Sequence, residues 1–160
     1  VEAATRLAAK GIRFELTLVG DGPMRGAIEA LVAERGLGDR VRLTGSISTE
    51  RLRDELLRAR ALVLPSFAEG LPMVIMEAMA TGLQVAVFAH ECGNDEVITD
   101  GETGFLVGSE AEALARIHQL HGDPELRVRL GQAARASIVD LMQGQERALR
   151  DFYLERAPGR

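Results

Sequence analysis

Apolar positions recur along this chain with two periods, and the alternation between them sets out the elements. Residues 2–11, EAATRLAAKG, space apolar side chains for one helical face and stop at Gly11. RFELTLVG (13–20) then predicts a strand, DGP (21–23) a turn with Pro23 at a helix start, and MRGAIEALVAERG (24–36) a helix ended by Gly36. RVRLTG (40–45) predicts a short strand. STERLRDELLRAR (48–60) predicts an amphipathic helix capped by Ser48 or Thr49. ALVLPS (61–66) predicts a buried strand that Pro65 stops, and residues 72–81 an apolar helix. QVAVF (84–88) and, after the turn TDG, GETGFLVG (101–108) predict two more strands. Beyond Gly108 the pattern is helical: SEAEALARIHQLHG (109–122), DPELRVRLGQAARASIVD (123–140) with the Asp123-Pro124 start signal, and a final helix to about residue 156.

Strands separated by helices predict an α/β fold: a Rossmann-like parallel sheet with helices on both faces and a helical C-terminal tail. Ligands of such sheets bind at the carboxyl ends of the strands. The 160 residues predict one domain, in which roughly 70% of the unfolded surface can be buried. Val1 falls inside an apparent helix, so the chain is expected to be a fragment of a longer protein.

Charge and cysteine content narrow the function. A net charge of −5 argues against a nucleic-acid surface, which needs a basic face. The single cysteine, Cys92, permits no internal disulfide and points to a reducing compartment. No apolar run approaches the 18 residues of a membrane span.

The segment AEGLPMVIMEAMATG (68–82) raises a chemical question. Between Leu71 and Ala80 its one polar side chain is Glu77, and eight residues earlier Glu69 sits in a Gly/Pro-rich turn. A carboxylate buried without a partner costs several kcal/mol and tends to protonate. Two carboxylates spaced about 12 Å along a helix, or less across the turn at Gly70, could both face one elongated ligand. A ribose diol is a natural bidentate partner for Glu77. The amides of Leu71, Met73 and Val74 at the helix start could meet a phosphate, whereas Pro72 cannot donate. The alternative is that Glu77 caps a neighbouring loop and Glu69 is simply solvated.

The stretch PSFAEGLPMVIMEAMATG closely resembles the E-x7-E motif of the family 4 (group 1) retaining glycosyltransferases, and TLVGDGP, RVRLTGSIS and VITDGETGFLV resemble the same family in order and spacing. The resemblance covers nearly the whole chain. It implies the C-terminal half of a GT-B fold, with residues 1–160 a single nucleotide-sugar-binding domain whose first strand and N-terminal acceptor domain lie outside. The implied reaction is transfer of a hexose from a nucleotide diphosphate-sugar to an acceptor, with retention and without metal or other cofactor, in polysaccharide, glycolipid or glycoconjugate synthesis. Glu69 is then the residue at the transferred sugar and reaction centre, and Glu77 the ribose ligand. Gly70, Leu71, Met73 and Val74 meet sugar and diphosphate. Gly20 and Gly22 belong to the donor site, and Ser46 and Ile47 meet the base through their backbone. The implied location is cytoplasmic, with peripheral contact at the inner membrane face open to the parent protein. The isolated chain is expected to fold yet not to transfer sugar. The family's Gly-Arg strand end and its Lys, which neutralise the diphosphate, are expected before Val1. Pro72 stands where many relatives have a glycine.

Other readings of the same residues are weaker. Gly20, Gly22 and Gly26 nearly spell a dinucleotide fingerprint, but the last spacing is off by one and no acid follows the next strand for an NAD ribose. A nicotinamide-type oxidoreductase domain, or a nucleotide-sugar-binding module without turnover, remain the alternatives. His118, His121 and Asp123 have the spacing of a metal pair but also of a solvated helix terminus. His90 and Cys92 lack an orienting third group. Glu96 fits a family glutamate, with Cys92 replacing a glycine, and Asp100-Gly101 is turn chemistry.

Overall fold

A computed structural model of the chain describes residues 1–65, 73–88 and 96–155. Glu69, Gly70, Leu71, Pro72, His90 and Cys92 lie outside the described residues. The chain divides into two compact units, Val1–Glu55 and Leu56–Arg160.

In the first unit, α1 (Glu2–Ala9) leads to β1 (Leu16–Val19), α2 (Arg25–Glu34) and β2 (Val41–Gly45). β1 and β2 pair in parallel with Leu16 beside Val41, and the register shifts by one between Leu18 and Val19, so that Val19 lies beside Gly45. The period-2 pattern explains the two faces. Leu16, Leu18, Val41 and Leu43 pack with Ala4 of α1, Ile28 and Val32 of α2, and Phe14 and Leu37. The opposite face carries Thr17 and Arg42, whose guanidinium donates to the Thr17 hydroxyl at 3.0 Å and to Glu55 at 2.8 Å. Glu55 belongs to α3 (Thr49–Arg58), which starts at Ser48, whose hydroxyl accepts the Arg51 N–H.

The second unit contains β3 (Ala61–Leu64), α4 (Met73–Ala80), β4 (Gln84–Phe88), β5 (Phe105–Val107), α5 (Glu110–Gly122) and α6 (Pro124–Glu155). Its sheet has the order β3-β4-β5, parallel throughout. Ile75, Ala78 and Met79 of α4 are fully buried, as are Leu130, Ala134 and Ile138 of α6. Burying each of the larger of these side chains contributes about 1.5–3 kcal/mol. Phe105, Val107, Ala113, Leu120, Leu126 and Leu130 form one core cluster. α6 packs on the turn after α4: a Cβ at Gly82 would lie 3.6 Å from the Gly131 carbonyl oxygen, in ordinary contact.

The parallel α/β architecture expected from the sequence is present. One expectation fails. The two helices anticipated over 123–140 and onward are the single 32-residue α6. Nothing in 140–143 can break a helix, and Gly144 inside one costs only about 1 kcal/mol.

Candidate functional site

In the first unit, the candidate residues cluster at the carboxyl ends of two parallel strands. β1 runs into Gly20, whose φ of +124° only glycine adopts readily. The Gly20 amide donates to the Gly45 carbonyl at 3.0 Å, closing the two strand ends together. The Thr44 hydroxyl reinforces this junction, donating to the Gly45 carbonyl at 2.9 Å and the Leu18 carbonyl at 3.3 Å. Beyond it Ser46 is exposed and Ile47 half-buried.

The turn after β1 orders itself. Asp21 accepts the Gly22 amide at 2.8 Å, and the Arg25 amide donates to the Gly22 carbonyl at 3.1 Å. Pro23 falls in this turn, two residues before α2. The N-cap of α2 is Met24, which offers no side-chain cap, and its first turn contains no acid. Its first-turn side chain is instead Arg25, whose Nε donates to Glu29 at 2.9 Å and whose Nη1 stands 3.8 Å from Asp21. The sequence reading passed over Arg25. Its signal was the run of Asp21, Arg25 and Glu29 at steps of four.

In the second unit, Met73, Val74 and Glu77 share α4. The helix buries Ile75, Ala78 and Met79, which lie within about 100° of one another around its axis. Met73, Glu77 and Ala80 occupy the opposite side, and Met73 is 58% exposed. Glu77 is consequently half-buried, not enclosed as the apolar run suggested. A run of apolar residues surrounds a position in sequence, whereas the helix turns that position away from the core. The Glu77 main-chain carbonyl accepts the Thr81 amide at 3.2 Å, but its carboxylate has no partner among the described residues. The first turn of α4 contains no acid.

Other sequence candidates have structural duties. Asp123 caps α6 through the Leu126 amide at 2.8 Å. Arg127 donates to the Leu120 and His121 carbonyls at the end of α5, the latter at 3.2 Å. No group of three metal-ligating side chains occurs among the described residues. Asp100 accepts the Leu106 amide at 2.9 Å, and the buried Thr103 hydroxyl accepts the Thr99 amide at 2.8 Å, which makes TDGETG a self-bonded turn before β5. Glu96 is exposed. Among the described residues no helix is long and apolar enough to cross a membrane.

In open parallel α/β sheets, ligands bind at the carboxyl ends of the strands, where these glycine turns and helix starts lie. Comparison with known proteins specifies the class. The family model "Glycosyl transferases group 1" matches residues 1–137. Alpha-D-kanosaminyltransferase of Streptomyces kanamyceticus is 36% identical over 137 residues, 84% of this chain and 35% of that protein. The sucrose-phosphate synthase structure from Thermosynechococcus elongatus superimposes with a TM-score of 0.79 at 34% identity, over 97% of this chain and 41% of that one. The Anabaena protein HepE in complex with UDP-glucose has the same fold, with a TM-score of 0.76 at 21% identity, over 94% of this chain and 43% of that one. The chain belongs to the group 1 glycosyltransferases, and it spans about a third of the length of the curated relatives it matches first.

Proposed function

We propose that residues 1–160 form the donor-binding domain of a longer, two-domain glycosyltransferase that moves a hexose from a nucleoside diphosphate to an acceptor with retention. The observation that carries this reading is Glu77: a half-buried carboxylate on the outward side of α4 with no partner among the described residues, in a chain of this family. A vicinal diol supplies two O–H donors to such a group, and ribose is the diol of a nucleotide. The UDP-glucose held by HepE agrees with a donor of that chemistry.

In this assignment Glu77 binds the ribose and Glu69 sits by the transferred sugar. The amides of Gly70, Leu71, Met73 and Val74 meet sugar and diphosphate, since helix starts carry unpaired N–H groups and a positive dipole end. Gly20 and Gly22 let the backbone approach the donor, and the backbone at Ser46 and Ile47 meets the base. Catalysis rests on orienting the donor and stabilising the departing diphosphate, without metal or other cofactor. The acceptor and its domain lie elsewhere in the parent, which we place in the cytoplasm with peripheral contact at the membrane face.

Calorimetric titration with UDP, GDP, ADP and NAD tests the reading. Binding of a nucleoside diphosphate without binding of NAD is the expected outcome. NAD binding with no response to any diphosphate overturns it.

A further inference from the structure

We propose that Arg25 is a specificity-determining residue that recognises the nucleobase of the donor through a carbonyl acceptor on the base edge, an inference that rests on the donor-binding reading above. Three observations lead there. The first is position. Gly45 ends β2 one residue before Ser46, and a Cβ built at Gly45 would lie 2.8 Å from Arg25 Nη1. The guanidinium therefore rests against the backbone of the strand end assigned to the base. Gly45 also has φ +68°, so glycine is favoured there by its backbone.

The second observation is how the side chain is held. Asp21 and Glu29, one turn before and one turn after, flank Arg25 and engage Nη1 and Nε. Exposed ion pairs of this kind contribute little stability. They occupy Nη1 and Nε, leaving Nη2 with no partner among the described residues and the side chain 38% exposed. Two carboxylates around one guanidinium make the local charge negative. That argues against a diphosphate as its ligand, because the same acids repel phosphate.

The third observation is the surface around it. Val19, at the end of β1, is 45% exposed, and Met24, at the start of α2, is 63% exposed. These apolar side chains flank the same turn and suit the face of a planar ring. A guanidinium has N–H donors and no acceptor. It therefore favours bases that present ring carbonyls, uracil and guanine, over adenine, whose exocyclic amine is a donor.

The test compares the full-length wild-type protein with Arg25→Ala, Arg25→Gln and Arg25→Lys, each titrated with UDP, GDP and ADP. The wild type is expected to prefer UDP or GDP to ADP. Arg25→Ala and Arg25→Gln should weaken the preferred diphosphate about tenfold while moving ADP less than about twofold. Arg25→Lys, which keeps a donor but not the planar fork, should fall between. A thermal melt identifies any variant that fails to fold, and the base ratio is then read from the remaining ones, since a purely structural role does not change that ratio. Equal losses for all three ligands, unchanged affinities, or a wild-type preference for ADP would each overturn the assignment of Arg25 while leaving the donor-binding reading intact. Failure of the wild type to bind any nucleoside diphosphate would overturn both.

Discussion

The turn after β1 and the turn after β5 both carry a parallel strand into a helix, and they satisfy the helix start in opposite ways. After β5 the start is closed. The Ser109 hydroxyl accepts the Glu112 amide at 3.2 Å, and the Glu112 carboxylate reaches back to the Gly108 amide at 3.0 Å, with Glu110 also in the first turn. This resembles a capping box shifted back by one residue, and its acids occupy the positive end of the helix dipole. After β1 the start is open. α2 has no side-chain cap, no first-turn acid, and an arginine held beside a left-handed glycine at the next strand end. A helix that caps itself has nothing left to offer an anionic or polar ligand. A helix left uncapped, at a strand end shaped by glycines, is one whose donors are available. α4 matches the open pattern in having no first-turn acid, whereas α6 is closed by Asp123.

The largest expected effect separates Gly45, the β2 end that accepts the Gly20 amide of the open turn, from Gly108 in the closed turn. Gly45→Val places a β-branched residue at φ +68°, and the end of the Arg25 side chain must shift to admit its Cβ. The backbone strain should destabilise the fold by about 1–3 kcal/mol in chemical denaturation. Gly108→Ala, by contrast, meets only the Glu112 carboxylate at 3.9 Å and has an ordinary φ, so its change should stay within about 0.5 kcal/mol. Equal costs at the two positions would erase the distinction drawn between the turns.

Next in size is Glu77→Ala. If the carboxylate serves a ribose, the variant loses about 10- to 100-fold in nucleoside diphosphate affinity, the range of hydrogen bonds to a charged group. Its unfolding midpoint should not fall, because no described residue depends on that carboxylate. A calorimetric titration and a urea curve on the same preparation decide the matter. A lowered midpoint with unchanged affinity would make Glu77 structural.

Ser109→Ala sharpens the comparison from the closed side. Removing this cap should cost about 1 kcal/mol of stability and leave nucleotide affinity unaltered. A loss of affinity matching the loss at Glu77 would show that the closed turn also serves the ligand.

How far the sequence foretold these features depends on the range of the interactions behind them. The parallel α/β order was legible because apolar runs such as ALVL and QVAVF are short, bounded by Pro65 or glycines, and separated by helical periods. The caps at Ser48 and Asp123 were legible because they act within three residues. The continuity of α6 was not, since a helix held by burial of Leu130, Ala134 and Ile138 does not stop where a polar stretch reads as a boundary. The half-exposure of Glu77 is not legible from the apolar run itself, because it depends on which side of α4 meets the core. Arg25 lay further out of reach. Its i, i+4 acids are visible in sequence, but its packing on Gly45, twenty residues away, is tertiary.

The smallest expected effect concerns the start of α3, in the first unit. Glu50 follows Ser48, and the Ser48 hydroxyl, with the Glu50 backbone amide, holds the Glu50 carboxyl below its ordinary value. A carboxyl depressed in the folded state is stabilising when ionised. Its contribution is present above the unfolded value, near pH 4.3, and disappears as the pH falls through the lower folded value. Glu50 is exposed, so the effect is small and screened by salt. Thermal midpoints of the wild type and Glu50→Gln should differ slightly at neutral pH. The difference should shrink as the pH falls below the ordinary carboxyl range. A gap that persists undiminished into acid would mean that the Glu50 charge is not what steadies the start of α3. The closed helix starts would then rest on their hydroxyl and Asp123 caps alone, with the first-turn acids contributing nothing there.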